Sequence, residues 1–271
     1  MTRFDSALLI LLVSAGPVHA QQDTLSRAVV RRSEVFTLLG FGVAAAVITP
    51  ADERLAVWIR GPRVQGSSLN TVADVFNFVG DPGTIIASAT LYVFGAATHR
   101  RHARDAALHI GESVVAASVI TGVLKIAMGR ARPYVSADTN PHDLRFGRGR
   151  DGGQYQSFPS GHTTAAFAFA SAMASEAATW TPRWHWVAPA GYSAAALVAL
   201  ARMYDDKHWA SDVVLGAGIG VVAGKATVRF NHARPNNQVD RAFLGGMTGH
   251  AMRLSMRHAD GRTLLGLARD W

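Results

Sequence analysis

Residues 159–178, PSGHTTAAFAFASAMASEAA, join a helix-start sequence to a long apolar segment. Ser160 is a residue type that caps helices, and Gly161 lets the backbone approach a ligand closely. Proline and glycine punctuate the chain around this segment, and the alternation of β-branched residues typical of strands is scarce. The sequence therefore predicts an all-α fold, a bundle of six helices. Besides the segment at 163–178, the apolar segments lie at 35–51, 82–98, 106–128, 187–201 and 211–228.

The composition limits the possible partners. With 271 residues, 49% of them hydrophobic, the chain can form one large core, so we expect one catalytic domain. Its net charge of +8 suits an anionic small substrate, an anionic lipid or nucleic acid. Nucleic acid is the weakest of these, because the arginines are scattered among apolar helices and form no basic helix. The absence of cysteine excludes disulfides, thiolate zinc sites and thiol catalysis.

The N-terminus has the pattern of a secretory signal. Arg3 precedes an apolar run at 7–13, which is followed by the small-x-small sequence Val18-His19-Ala20. A buried N-terminal helix is the alternative. The expected organisation is a signal peptide at 1–20, a linker at 21–34, the catalytic domain at 35–230 and a polar tail at 231–271.

The polar tail contains one regular pattern. Residues 250–257 alternate strictly, with Met252, Leu254 and Met256 on one face, and Asp260-Gly261 supplies turn chemistry. We expect a hairpin here, with a partly ordered tail as the alternative.

Whether the bundle crosses a membrane is left open by the sequence. The segments at 35–51 and 82–98 lack formal charges, whereas Glu112 interrupts the third segment. A glycine ridge at 216, 220 and 224 favours close helix packing in either setting. If a signal peptide is cleaved and every helix spans the membrane, the chain starts outside and the loop after Lys125 lies in the cytoplasm. The positive-inside rule predicts the opposite, because it puts the arginine-rich loops in the cytoplasm and the loop after Lys125 on the outer face. We expect membrane association with the site facing the periplasm, or alternatively a soluble periplasmic bundle.

Two cations stand close together before a helix break. Lys125 and Arg132 are seven residues apart, so a helix continuing to Pro133 would carry both on one face. Complementing the helix dipole is the alternative explanation.

Two further runs supply the other groups that phosphoryl transfer requires. The helix start at Ser160 and Gly161 would bind an anion and leave His162 beside the departing oxygen. His208 and Asp212 are spaced i, i+4, so a helix from about His208 would let the carboxylate hold one imidazole nitrogen. Arg202 adds a bidentate, permanently charged group for phosphoryl oxygens.

The three runs together resemble the type 2 phosphatidic acid phosphatase and vanadium haloperoxidase superfamily. Its signature is K-x6-RP, then PSGH, then SR-x5-H-x3-D, and only Ala201 differs, standing where the family has serine. The resemblance covers about residues 35–230 and implies a phosphatidate phosphatase-like helical bundle. It implies that His208 attacks phosphorus, that Asp212 orients it and that His162 protonates the leaving group. The phosphate-binding residues that it implies are Lys125, Arg132, Ser160, Gly161 and Arg202.

The expected activity is hydrolysis of phosphomonoesters or pyrophosphates, carried by lipids, through a phosphohistidine. We expect no metal and no cofactor, because no carboxylate and histidine cluster has metal-ligand spacing and the fixed cations meet the charge requirement. The alternatives are a soluble periplasmic broad-specificity acid phosphatase, a vanadate-dependent haloperoxidase and a non-catalytic anion-binding protein. The oligomeric state is left open. The long connection at 134–158 is expected to form a lid or substrate mouth.

Overall fold

The computed structural model describes residues 30–135, 140–180, 182–234, 237–243, 252–259 and 262–269. These residues form nine α-helices and two strands. The predicted all-α bundle is confirmed, and the six predicted helices correspond to α1 and α4 to α8. The helices are α1 (Arg32–Ile48), α2 (Asp52–Arg60), α3 (Ser67–Phe78), α4 (Thr84–Ala97), α5 (Arg101–Met128), α6 (Gly161–Trp180), α7 (Val187–Tyr204), α8 (Ala210–Ala233) and α9 (Gln238–Phe243).

Three helices were missed by the sequence interpretation. α2, α3 and α9 are short, and each carries polar or charged residues that break up its apolar pattern. Short helices of this kind take their stability from tertiary packing rather than from a long apolar face. Two of them matter for the site, because α2 contributes Asp52 and α3 contributes Asn77.

The helix α6 lies at the centre of the bundle and packs against α5, α7 and α8. Its contacts are built mainly from alanine, and Ala168 and Ala172 are completely buried. Small side chains allow the helix axes to come close, so the bundle is compact around α6. The N-terminus of α6 is thereby held at one end of the bundle.

The glycine ridge of α8 faces α6 directly. A Cβ atom at Gly220 would lie 2.4 Å from the Thr164 carbonyl oxygen, and one at Gly224 would lie 2.6 Å from that of Ala168. A Cβ atom at Gly216 would lie 2.8 Å from the Ser160 carbonyl oxygen. The ridge therefore brings the two helix backbones into contact, as the spacing predicted.

We expect Gly220→Val to destabilise the protein by about 1–3 kcal/mol, because the added side chain forces α6 and α8 apart. Thermal unfolding of the full chain in detergent measures this loss. Gly122→Ala is the matched control, since no atom lies within 4 Å of a Cβ atom there. Equal melting temperatures for the two variants would contradict the close approach.

Much of the bundle surface is apolar. Three helical stretches are long and apolar enough to cross a membrane: Arg32–Arg60, Arg101–Met128 and Ala210–Ala233. In the first, Phe36 is 72% exposed and Val47 is 74% exposed. Such a continuous apolar surface is suited to lipid rather than water, so the fold is that of a membrane-associated protein.

The C-terminal strands form the expected hairpin. Strand β1 (Met252–Ala259) pairs antiparallel with β2 (Arg262–Arg269), from Met252 opposite Arg269 to Ala259 opposite Arg262. The predicted turn residues Asp260 and Gly261 lie outside the described residues, as does the predicted signal peptide. The division into a signal, a linker, a catalytic domain and a tail stays a prediction.

Candidate active site

The three motifs meet at one end of the bundle. They lie at the end of α5, the start of α6, and the connection between α7 and α8. The Ser160 N–H donates a hydrogen bond to the Asp212 carbonyl oxygen, 3.1 Å away, which ties the start of α6 to the start of α8. Residues remote in sequence therefore surround one site.

The prediction that Lys125 and Arg132 share a helix face is wrong. α5 ends at Met128, and Gly129 adopts the left-handed conformation with φ +58°. A Cβ atom at Gly129 would lie 2.2 Å from the Arg145 carbonyl oxygen, so only glycine fits the close turn that ends the helix. Arg132 lies in the following loop, where its N–H donates to the Gln154 carbonyl oxygen at 2.9 Å.

Two of the arginines have unsatisfied donors. Arg132 Nε and Arg202 Nε are buried and have no hydrogen-bond partner among the described residues. Arg202 uses Nη1 to donate to Asn77 Oδ1 at 2.7 Å, which fixes its side chain. Because a buried donor without a partner is costly, both atoms favour an oxygen-rich anion in the site.

The third cation lies beside the start of α6. The Lys125 ammonium donates to the Gln156 carbonyl oxygen at 2.5 Å. A Cβ atom at Gly161 would lie 3.4 Å from Lys125 Cε, so glycine leaves room for the lysine at the helix N-terminus. Lys125 and the first turn of α6 therefore border the same space.

His208 is held by a backbone carbonyl rather than by Asp212. α8 begins at Ala210, two residues after the expected start at about His208, so His208 itself lies outside the helix. His208 Nδ1 lies 2.7 Å from the Ser157 carbonyl oxygen and 3.8 Å from Asp212 Oδ2. A carbonyl oxygen can only accept, so Nδ1 carries the proton and Nε2 keeps its lone pair.

His208 is neutral in this environment. Its side chain is 3% exposed, and burial lowers its pKa to about 3. The nearby Asp212 carboxylate opposes this shift in part, and the positive charges of Lys125 and Arg132 add to it. An imidazole with this pKa has its lone pair available over the whole physiological pH range.

Asp212 caps α8 and anchors its surroundings. Its Oδ2 accepts hydrogen bonds from the Trp209 N–H at 2.9 Å and from Ser157 Oγ at 2.5 Å. The carboxylate thus fixes the segment that carries the His208 partner, and it lies near enough to stabilise positive charge on the imidazole. We interpret its orienting role as indirect, contrary to the predicted direct hydrogen bond.

Sequence reasoning missed Arg130. Arg130 is 4% exposed, and its guanidinium donates to Asp212 Oδ1 at 2.6 Å and to Asp52 Oδ2 at 2.8 Å. It also donates to Ser211 Oγ at 2.8 Å and lies over the Trp209 ring. The arginine therefore links α2 to the start of α8. No sequence signal marked it, because Asp52 lies 78 residues away and in a helix that was not predicted.

His162 lies in the first turn of α6, outside the three stretches that are long and apolar enough to cross a membrane. Burial and the charge of Arg202, with smaller contributions from Lys125 and Arg132, lower the pKa of His162 to about 4. The charges of Lys125 and Arg132 thus act on both His162 and His208, whereas the charge of Arg202 acts on His162. A bound phosphate would offset their charge and raise the pKa of His162, which favours its protonated form when substrate is present.

Ser160 is completely buried at the start of α6. Its Oγ accepts a hydrogen bond from Thr163 Oγ1 at 2.9 Å, which leaves the Ser160 hydroxyl hydrogen for another acceptor. This arrangement is compatible with the predicted contribution to phosphate binding.

The described part of the connection before α6 is a packed wall. Arg148 donates to Asp143 Oδ1 at 2.9 Å and lies 4.2 Å from the centre of the Tyr155 ring. Its guanidinium also donates to the Gly129 carbonyl oxygen at 3.0 Å. The role of this connection as a lid or a substrate mouth stays a prediction.

A sequence profile for the PAP2 superfamily matches residues 106–236, which contain all three motifs. This part of the chain belongs to the PAP2 superfamily. The resemblance predicted from the motifs is therefore confirmed.

Two known proteins are similar to this chain. A lipid A 1-phosphatase of Porphyromonas gingivalis is 42% identical over 87 residues, which are 32% of this chain and 19% of that protein. The match thus spans about a fifth of the relative's length. The crystal structure of a transmembrane PAP2 type phosphatidylglycerolphosphate phosphatase from Bacillus subtilis has a TM-score of 0.57 and 20% identity, covering 75% of this chain and 98% of the other. At this level of identity, the similarity to the Bacillus subtilis structure shows a shared fold.

Proposed function

We propose that this PAP2 protein is a phosphatase that removes phosphate from a lipid-borne monoester or pyrophosphate through a phosphohistidine on His208. The observation that carries the proposal is the pair of buried, unpartnered guanidinium nitrogens of Arg132 and Arg202. They accompany an imidazole whose Nε2 carries the lone pair. This combination provides an anion site and a nucleophile together.

The first chemical step forms a nitrogen–phosphorus bond. His208 Nε2 attacks phosphorus while the bond from phosphorus to the leaving oxygen breaks, and His162 gives its proton to that oxygen. Lys125, Arg132 and Arg202 stabilise the charge on the three non-bridging oxygens, together with the backbone at Gly161. The imidazole becomes cationic, and Asp212 at 3.8 Å stabilises that charge.

The second step releases phosphate. His162 is neutral after the first step and accepts a proton from a water molecule as that water attacks phosphorus. The nitrogen–phosphorus bond breaks, and its electron pair returns to His208 Nε2. Phosphate leaves, and the His162 proton is ready for the next leaving group. The side chains need no external reductant, oxidant or cofactor for these two steps.

The lipid substrate class is supported by the bundle surface. The exposed apolar residues of α1 and α5 support a position of the bundle within a bilayer, and the motifs lie at one end of the bundle. A headgroup phosphate at the bilayer surface would reach this end without leaving the membrane. The relative from Porphyromonas gingivalis is a lipid A 1-phosphatase, which supports a lipid phosphate as the substrate. We place the site on the periplasmic face, as the arginine-rich loops favour.

The full-length protein in detergent micelles tests the substrate class. We expect phosphate release from lipid A, phosphatidate or phosphatidylglycerol phosphate with a kcat/KM at least about tenfold above that for p-nitrophenyl phosphate, because the apolar surface adds binding energy. Orthovanadate should inhibit all of these reactions. Equal rates for lipid and soluble esters would favour the broad-specificity acid phosphatase. Binding without hydrolysis would indicate a non-catalytic protein, and peroxide-dependent halogenation with vanadate would indicate a haloperoxidase.

A further inference from the structure

A cluster of two histidines and two carboxylates lies at the end of the bundle opposite the active site. His109 comes from α5, Glu176 from the last turns of α6, and His232 from the last turn of α8. Along α5, His109 is about 24 Å from Lys125, since sixteen residues rise about 1.5 Å each. The cluster is therefore separate from the phosphate site.

The donor atoms of the cluster converge. His109 Nδ1 lies 2.7 Å from Glu176 Oε1, and His232 Nε2 lies 3.0 Å from the same oxygen. One donor atom from each of the three residues falls within 4.8 Å of the others. A zinc ion about 2.0–2.2 Å from each donor fits this spread after small side-chain rotations.

A fourth residue supports the cluster from behind. Asp240 of α9 is 6% exposed, and its Oδ1 has no hydrogen-bond partner among the described residues. This oxygen lies 3.8 Å from His109 Nε2, the ring nitrogen that faces away from Glu176. Histidines that bind metals commonly present their second nitrogen to a carboxylate in this way, which fixes the tautomer and ring orientation.

The charges of the cluster also favour a cation. Glu176 is 3% exposed, and its carboxylate contacts two histidines, which are positive only when protonated. Asp240 adds a second buried carboxylate. Buried carboxylates are costly unless a cation pairs with them, and one divalent ion would neutralise both.

The surroundings of the cluster are suited to a structural ion. Ala106, Ile110, Ala172 and Val228 form a buried apolar cluster next to it on the same three helices. An apolar shell strengthens metal coordination by excluding water. The His232 side chain is 40% exposed, which provides a route for the ion to enter.

We propose that His109, Glu176 and His232 bind one zinc ion, with Asp240 orienting His109, and that this ion joins α5, α6 and α8 at the end remote from the active site. Two imidazoles and one carboxylate are a donor set that zinc accepts readily, with water completing a tetrahedron. The ion would be structural, because no phosphate-binding residue lies near it. This inference is independent of the proposed phosphatase activity.

The test uses the full-length protein purified in detergent without a polyhistidine tag. We expect about one zinc per chain by elemental analysis after loading and desalting, and a visible d–d band when cobalt(II) replaces zinc. A chelator should lower the melting temperature, and added zinc should restore it. If the loaded protein holds no zinc, shows no cobalt band and melts equally with or without chelator, the cluster is a metal-free hydrogen-bonded network and the proposal is wrong.

Two variants assign the ion to these residues. Glu176→Gln and His232→Ala should each lower zinc affinity by about tenfold or more, with the loss of the tetrahedral cobalt band. His142→Ala is the matched control, since it removes an exposed histidine from the loop after α5 and should leave zinc binding unchanged. Unchanged zinc binding in both cluster variants would show that the ion lies elsewhere. Should either variant fail to fold, the cobalt titration of the unaltered protein still decides between the outcomes.

Discussion

His208→Ala should lower kcat for phosphate release by at least about a thousandfold, because the variant has no atom to form the covalent intermediate. Substrate binding should change much less, since Lys125, Arg132 and Arg202 remain. The measurement is phosphate release by the purified full-length variant with the best lipid substrate, together with the KM of that substrate.

His142→Ala controls for the loss of any histidine, because His142 is exposed and takes no part in the site. The melting temperature of His208→Ala verifies that the variant is folded. Rapid acid-free quenching of the unaltered enzyme with radiolabelled substrate should trap label on the protein, and His208→Ala should trap none. Full activity of a folded His208→Ala variant would refute the proposed nucleophile.

Arg130→Met should destabilise the protein by about 3–5 kcal/mol, because it leaves Asp52 and Asp212 as buried carboxylates without their shared cation. The Arg130 side chain is 5% exposed and those of Asp52 and Asp212 are completely buried, so water cannot replace the lost hydrogen bonds. Thermal unfolding in detergent measures the loss. Phosphate release should also fall, since Asp212 would no longer be fixed.

Arg145→Met is the matched control for Arg130→Met. The Arg145 side chain is 75% exposed, and its Nε lies 3.6 Å from Asp143 Oδ1, so its removal should cost little. A double variant that adds Asp52→Asn to Arg130→Met should lose less stability than the sum of the two single losses. If Arg130→Met and Arg145→Met have the same melting temperature, the buried network does not stabilise the fold.

The long helices were predictable because each contains an apolar segment that a core or a bilayer can bury. The same reasoning missed α2, α3 and α9, which contain no long apolar segment and depend on tertiary packing for much of their stability. It also misjudged two local details of the site. α5 ends at Met128, before Arg132, and α8 begins at Ala210 rather than at about His208.

The site residues were predictable as types but not as contacts. The motif spacing predicted Lys125 and Arg202 as phosphate-binding cations and His208 as the nucleophile, because phosphoryl transfer needs both. The partner of His208 Nδ1 is the Ser157 carbonyl, and no side-chain pattern can mark a backbone oxygen. The i, i+4 spacing suggested Asp212 as the hydrogen-bond partner of His208. In the folded protein, the Ser157 carbonyl oxygen occupies that position instead.

Chain order alone established the apolar segments, the glycine ridge and the three motifs, since each is a pattern among neighbours within about two helical turns. Only the tertiary structure brings Arg130 to Asp52, which is 78 residues away in the sequence. It also brings Glu176 to His109 and His232, which are 67 and 56 residues away from it. Separations of this length follow no local period, so the sequence pattern could not predict these contacts. Buried charges find partners through the packing of whole helices, and that packing depends on the entire core rather than on any one segment.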